Sequence, residues 1–308
     1  MKILVTGGAG FIASHIADAY IKLGHNVVII DNLSSGNINN INKNAKFYNI
    51  DITNKNIIDI FEKEKFDIIS HHAAQMNVRF SVENPIFDAN INVLGSLNIY
   101  EAAIKTNVKK IIFASTGGAI YGEEVEIPTP ETANTQPCSP YGISKLTNEK
   151  FLYYYKKIYN LDYTILRYAN VYGARQNPNG EAGVVAIFIK KLLLNEQPII
   201  NGDGFYTRDY IHISDVVKAN LIALRKDSSG IYNVGTGIET TTNKVFQTIQ
   251  NHMNKNFPEI HGKAKDGEQR KSCISIKKIK DKFGWTPTIL FDDGIKDTIK
   301  FFQNNINN

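Results

Sequence analysis

Strand-like and helix-like segments alternate through the first 168 residues, and that alternation narrows what the chain can fold into more than any other feature. Residues 3–6 read as a buried strand, 12–23 as a helix and 27–30 as the next strand. A strand at 46–50, a helix near 57–63 and a strand at 67–71 follow; then come a long helix around 90–106, a strand at 110–115, a helix at 141–159 and a strand at 163–168. Strands joined through helices lie parallel, so this order predicts an α/β fold on a doubly wound parallel sheet. After Asn170 the glycines and proline at 173, 178, 180, 183, 202 and 204 break the alternation, which predicts a second, smaller, loop-rich part. A helix at 213–224 and a strand at 231–234 can return to the first sheet. The expected division is therefore discontinuous, with 1–169 plus approximately 213–234 in one domain and 170–212 plus 235–308 in the other. The Asn-rich end, 301–308, is expected to fray.

A chain of 308 residues can bury a sizeable core without cross-links, and 43% hydrophobic with 21% charged residues is ordinary globular usage that argues against disorder. No apolar run approaches the roughly 18 residues of a membrane span, so no membrane partner is expected. Met1-Lys2 leads directly into Ile3-Leu4-Val5 and then Thr6-Gly7-Gly8, too short and glycine-broken for the core of a signal peptide. Cys138 and Cys273, the two cysteines, form neither a disulfide framework nor a CxxC metal pattern, and no metal is expected. A reducing, cytoplasmic location fits that usage. The net charge of +5 comes from lysines spread along the whole chain rather than gathered into a basic arm with aromatics, which argues against nucleic acid. Solvated helix faces or an anionic small-molecule ligand remain as readings of it.

Thr6-Gly7-Gly8-Ala9-Gly10-Phe11-Ile12-Ala13 joins the first strand to the first helix. Glycines there permit a tight turn and close backbone approach, while free N–H groups at the helix start face a pyrophosphate. The loop alone is weak evidence, because glycine turns join strands to helices in many proteins that bind nothing. Its spacing is Gly-x-x-Gly-x-x-Ala, with Ala13 where a third glycine often serves helix packing. Asp31, at the end of the second strand, strengthens the reading: a carboxylate there accepts both ribose hydroxyls of adenosine and repels a 2′-phosphate, favouring NAD over NADP. Asp51-Ile52 ends the third strand, where the carboxylate is placed to reach the adenine amino group or simply to serve a turn.

Tyr141 and Lys145 share a helix face at four-residue spacing. With 15 Tyr in 308 residues and 29 Lys, roughly 1.4 such pairs arise by chance, and Tyr153/Lys157 is a second. Position distinguishes the first pair. It follows Ser139-Pro140 at a helix start, and Ser115-Thr116 ends the preceding strand at the edge where such sheets bind ligands. A tyrosine has a pKa of about 10, and lowering it by ~3 units takes about 4 kcal/mol of preferential phenolate stabilisation. A cation about 4 Å away at an effective dielectric of about 20 supplies roughly that much. Lys145, aided by the positive ring of oxidised NAD, is sufficient in principle.

At this point the chain resembles the UDP-glucose 4-epimerase family of the extended short-chain dehydrogenase/reductases, over nearly its whole length. The resemblance rests on TGGAGFIASH from Thr6, DNLSSG from Asp31, HHAAQ from His71, NVLG from Asn92, STGGAIYG from Ser115 and SPYGISK from Ser139. It continues through LRYANVYG from Leu166, GEAGVVAIF from Gly180, GDGFYTRDYIHISD from Gly202, NVGTG from Asn233 and GEQRKS from Gly267. It implies a Rossmann-type NAD-binding domain and a smaller nucleotide-sugar-binding domain. Thr116 would hydrogen-bond the reacting sugar hydroxyl, Tyr141 would be the acid/base, and Lys145 would lower its pKa while holding the nicotinamide ribose. Beside Gly7 and Gly10 of the loop, Phe11, Ile12, Asp31, Asn32, Asp51, Ile52, Ala73, Asn92 and Tyr168 would line the dinucleotide. Asn170, Val184, Val185, Arg208 and Arg270 would hold the UDP part, the arginines through charge-assisted contacts to diphosphate. An internal ion pair with Asp203 or Asp209 is the other reading of those arginines. Ala13, the His71-His72-Ala73-Ala74 stretch in place of HLAA, and Met76 in place of a lysine depart from the family pattern. The adjacent histidines lack zinc-type spacing and read as structural.

The resemblance implies interconversion of UDP-glucose and UDP-galactose through a 4-keto intermediate with tightly bound NAD, the sugar turning between oxidation and reduction. A nucleotide-sugar 4,6-dehydratase shares the first oxidation but needs carboxylates for its later proton transfers; its relatives carry Thr-Asp-Glu where this chain has Thr116-Gly117-Gly118. A non-catalytic nucleotide-binding regulator would have no use for Thr116, Tyr141 and Lys145 together. Ser272 aligns with a gate beside the sugar C2 substituent, where a bulky aromatic excludes N-acetyl groups, so the N-acetylated UDP-hexoses are expected to fit. Relatives pair through a four-helix bundle, and the helices around 90–106 and 141–159 carry the apolar and tyrosine-rich faces for a homodimer.

Overall fold

The computed structural model describes residues 1–123, 126–179, 183–264 and 269–305. Its strands, in chain order, are β1 (Lys2–Thr6), β2 (Asn26–Asp31), β3 (Lys46–Asn49), β4 (Ile68–His71), β5 (Lys110–Thr116), β6 (Asp162–Tyr168) and β7 (Asn170–Tyr172). They continue with β8 (Ile200–Asn201), β9 (Thr207–His212), β10 (Gly230–Val234), β11 (Glu239–Thr241), β12 (His261–Gly262) and β13 (Lys271–Ser272). The helices are α1 (Phe11–Lys22), α2 (Ile57–Glu64), α3 (Val78–Glu83), α4 (Pro85–Ala89), α5 (Ser96–Lys105) and α6 (Pro140–Tyr159). α7 (Val184–Leu193), α8 (Ile213–Ala223), α9 (Thr242–His252), α10 (Lys277–Phe283) and α11 (Phe291–Asn305) complete the set.

Seven strands form one parallel sheet in the order β10-β6-β5-β4-β1-β2-β3, the doubly wound arrangement that the strand–helix alternation predicts. The continuous apolar runs Ile3-Leu4-Val5 and Val27-Val28-Ile29-Ile30 suit strands covered on both faces. Successive side chains point to opposite faces. Ile3, Val5, Val27 and Ile29 thus join one core with α1 and α8, while Leu4, Val28, Ile30 and Ile69 join the other with α2 and α5. Strand β10 enters this sheet from beyond α8, pairing Gly230–Val234 with Thr164–Tyr168.

A second core gathers α7, α9 and α11 around Phe188, Phe246 and Ile299. It carries a small sheet in which β9 pairs with β7, β11 and β13. Helix α11 continues to Asn305, with Phe302 in this core, so the end expected to fray from 301 is helical through 305. Residues 306–308 lie outside the described part. The stretch read as one helix over 90–106 is a π-helical segment, Asn90–Gly95, leading into α5.

Candidate active site

Chain order reverses between β1 and β4, and the crevice at the carboxyl ends of these strands is where open parallel sheets take ligands. The glycine loop leaves β1 there. Gly7 has φ +70°, and a Cβ on it would lie 2.8 Å from the Ala73 backbone nitrogen, so only glycine lets the loop press against the chain leaving β4. Gly10 caps α1 without a side-chain hydrogen bond, and the first turn holds no acid. The N–H groups of Phe11 and Ile12 therefore begin the helix with no capping side chain. Ala13 is buried in the core, where its methyl is accommodated.

Asp31 accepts the Ala9 N–H on Oδ2 at 3.0 Å and the Leu33 N–H on Oδ1 at 2.7 Å, bracing the loop while each oxygen keeps further acceptor capacity. Asn32 donates to Asp51 Oδ2 at 2.6 Å. Burial pushes the Asp51 carboxyl up, but donation from Thr53 and Asn32 outweighs it and holds the group below its ordinary value. Ile52 is buried under Gly95. Ala73 donates its N–H to Thr6 Oγ1 at 3.1 Å. Asn92 spends its amide on the wall after β4: its Oδ1 accepts from Gln75 N–H at 2.8 Å, and its Nδ2 donates to Gln75 O and to Asp88 Oδ1, each at 2.9 Å. The Tyr168 hydroxyl is engaged by Asn220 and, at 3.2 Å, by His72 Nε2. His71 bridges Thr6 Oγ1 at 2.7 Å and Ser96 Oγ at 2.9 Å. Burial holds His72 down at about 3 and His71 well below its ordinary value, so both are neutral. Met76 is exposed. An uncapped helix start, a glycine approach and a carboxylate ending the second strand fit the pyrophosphate and ribose of a dinucleotide.

Helix α6 starts as its sequence dictates: Ser139 accepts the Gly142 N–H at 3.2 Å, and Pro140 stands at the first position. A Cβ on Gly142 would come within 2.5 Å of the Ala119 carbonyl oxygen, so glycine is what lets this helix start dock against the loop after β5. Tyr141 donates its N–H to Ser81 Oγ at 3.2 Å, and no hydrogen bond engages its hydroxyl among the described residues. Lys145 is buried, donates to the Ala114 carbonyl at 2.8 Å, and lies 5.8 Å from the centre of the Tyr141 ring. Burial pushes its ammonium down to about 8, against the raising pull of Asp88 and Glu149. Burial, and then the Asp88 carboxylate, push the Tyr141 phenol up rather than down. The protein alone thus holds Tyr141 protonated, and lowering its value needs positive charge beyond Lys145.

Gly118 marks where the two parts of the molecule meet. A Cβ there would lie 3.5 Å from Asn170 Oδ1 and 4.0 Å from both Ser272 Oγ and Thr116 Oγ1. Thr116 ends β5, whereas Asn170 starts β7 and Ser272 ends β13. Strand register sets Ser272 beside Arg208 on β9. Arg208 donates to the Thr207 carbonyl at 2.8 Å. Val184 and Val185 open α7, whose start has neither a side-chain cap nor an acid; the Val185 side chain is buried in the second core, leaving its backbone as the group on offer. Arg270 is exposed, ion-paired to Asp203 at 2.9 Å and set over the Tyr206 ring. The ion pair that sequence offers as the second reading is therefore present for Arg270. Asp209 instead accepts from Thr236 and Gly237. Gly180, Glu181, Ala182, Gly267 and Glu268 of the quoted motifs lie outside the described residues.

Two features escape the sequence reading. Asp88 is a fully buried carboxylate hydrogen-bonded to Gln75, Asn92 and Ser144, and Glu149 pairs with Arg167 through contacts of 3.0 and 2.6 Å while accepting from Ser115. A lone Asp in a five-residue helix and an acid 18 positions from its arginine carry no pattern that would reveal either.

A doubly wound sheet with an uncapped glycine loop at its reversal point, and a tyrosine–lysine pair on the helix docked against the loop after β5, defines a dinucleotide-dependent enzyme of the short-chain dehydrogenase/reductase class. The family model for the NAD-dependent epimerase/dehydratase family matches residues 3–235, and the chain belongs to that family. A UDP-glucose 4-epimerase of Mycolicibacterium smegmatis is 39% identical over 311 residues, covering 99% of each chain. The crystal structure of a UDP-glucose 4-epimerase from Thermotoga maritima with UDP-glucose superposes with a TM-score of 0.98 at 46% identity, covering 99% of this chain and 100% of that one. A Thermus thermophilus UDP-glucose 4-epimerase in complex with NAD gives 0.95 at 40% identity, with the same coverage.

Proposed function

We propose that this protein is an NAD-dependent UDP-glucose 4-epimerase that interconverts UDP-glucose and UDP-galactose. The observation that carries the reading is the meeting of Thr116, Asn170 and Ser272 around the bare Gly118, next to the loop on which the Tyr141 helix docks. The full-length likeness to epimerases described with UDP-glucose and with NAD supports it.

Residues 1–169 with 213–234 hold the dinucleotide, through the N–H groups of Phe11 and Ile12, the carboxylate of Asp31, the Asn32–Asp51 pair and the walls formed by Ile52, Ala73, Asn92 and Tyr168. Bound NAD supplies the acceptor and donor for the hydrogen at sugar C4. Thr116 hydrogen-bonds the C4 hydroxyl, and Tyr141 takes the proton of that hydroxyl as the 4-keto sugar forms and returns it to the C4 oxygen once the sugar has turned. Lys145, anchored by Ala114, keeps a positive charge under the phenol. Residues 170–212 and 235–308 grip UDP through Asn170, the start of α7, Arg208 and Arg270, which exchanges Asp203 for diphosphate. Holding the nucleotide firmly and the hexose loosely lets the sugar turn. Ser272 leaves room at C2 for an N-acetyl group.

Inversion needs no carboxylate at positions 117 and 118. A Cβ on Gly117 would meet Ile274 at 2.7 Å, so an acid there would require that side chain to shift. Two copies pair through the helical stretch from Asn90 into α5 and through α6, where Leu94, Ile143 and Ile158 are exposed, beside the exposed Val82, Ile86 and Phe87 of α3 and α4. The cytoplasm is the compartment that suits its two free thiols, Cys138 and Cys273.

Replacing Tyr141 with Phe tests the chemistry. Turnover of UDP-galactose falls by about 10²–10⁴-fold while UDP binding, followed calorimetrically, persists. Retained turnover would mean that another base operates.

A further inference from the structure

Tyr141, Ser144, Lys145 and Asn148 share one face of α6, and that face does not end on the cofactor crevice alone. The Ser144 hydroxyl donates to Asp88 Oδ2 at 2.7 Å, and Asn148 Nδ2 donates to the Asn92 carbonyl, also at 2.7 Å. Asp88 Oδ1 accepts from Gln75 Nε2 and Asn92 Nδ2. One carboxylate with no solvent exposure therefore fastens the helix that carries Tyr141 and Lys145 to the chain that follows β4.

Gln75, Asn92 and Ser144 are neutral partners, so none of these three brings a charge to match the carboxylate. Glu149, the other acid on this side of α6, is paired with Arg167. Burial holds His71 and His72 neutral. The ammonium of Lys145, next to Ser144 on α6, is a cation on which Asp88 acts, against the cost of burial.

We propose that Asp88 is a positioning residue for the Tyr141–Lys145 pair: it locks α6 against the wall after β4, keeps Lys145 cationic in a buried site, and opposes formation of the Tyr141 phenolate until the dinucleotide binds. The directions in which Asp88 pushes the two groups, upward in both, agree with that role. Its benefit is to confine the reactive phenolate to the loaded enzyme. The inference rests on the epimerase reading above.

Asp88→Asn preserves the shape: Oδ1 still accepts from Gln75 and Asn92, and the amide nitrogen donates to Ser144. The pH profile of UDP-galactose epimerisation should then move as a whole to lower pH, both limbs by about half a unit or more. One unit below the wild-type acid limb, the rate relative to its own maximum rises roughly threefold. Ultraviolet phenolate absorbance of the NAD-loaded protein, taken as the difference from a matched Tyr141→Phe chain, should show the same downward shift without any substrate. Ser144→Ala, which removes the hydroxyl and keeps the charge, should leave both limbs in place. Unmoved limbs in Asp88→Asn, or an equal shift in Ser144→Ala, would overturn the inference. A wild-type protein without epimerase activity would overturn the functional reading instead, with the phenolate titration still deciding the role of Asp88.

Discussion

At Ser272 a hydroxyl stands where the second sheet reaches the loop after β5, and its Oγ is 4.0 Å from the point a Gly118 side chain would start. The residue is buried, so a larger side chain cannot swing to solvent without displacing a neighbour and must take up space beside Gly118. Ser272→Tyr therefore discriminates by volume: turnover of UDP-N-acetylgalactosamine falls at least about tenfold relative to UDP-galactose. Competition assays with the two sugars check this, and equal loss of both would remove the gate. Neighbouring residues divide between patterns that sequence displays and charges that only folding brings together. Asp31 and Gly7 are readable because a strand end and a glycine loop fix their place. Asp88 and Glu149 are not, because their partners at Ser144 and Arg167 are set by the packing of α6 against α4 and β6.

Helix α6 is tied to the sheet by the Glu149–Arg167 pair, in which both side chains are nearly inaccessible. Removing one member leaves the other buried and unpaired, so Arg167→Met costs about 3–5 kcal/mol, measurable by denaturant unfolding. A loss under about 1 kcal/mol would show that water enters to replace the guanidinium. The same helix shows where element reading succeeds. Its start is announced by Ser139-Pro140, and β1 to β6 by apolar runs flanked by turn residues. Helices α3 and α4, of six and five residues, are too short to display a 3.6-residue period, and their exposed Val82, Ile86 and Phe87 blur it further. The two-residue strands β8, β12 and β13 exist only because a partner strand lies beside them.

Across the whole molecule, Ile143, Tyr154 and Ile158 form an exposed stripe on α6 beside the apolar surface of α3 and α4. If two copies pair as proposed, a second copy covers that surface, and light scattering should give a dimer for the native chain and a monomer for Ile158→Glu; a native monomer would contradict the pairing. Six strands of the large sheet were legible from alternation, and β10 from the return that 231–234 offers, whereas the second part was not, since its sheet is assembled from segments between 170 and 272 whose neighbours are distant in sequence. The two parts meet at Gly118, where the epimerase chemistry is proposed to take place. The most direct measurement of it is incubation of the purified protein with UDP-galactose and NAD, followed by chromatographic separation of the nucleotide sugars. UDP-glucose should appear and approach an equilibrium mixture with no net consumption of NAD. Unchanged UDP-galactose beside bound NAD, or a dehydrated 4-keto-6-deoxy product, would contradict the assignment.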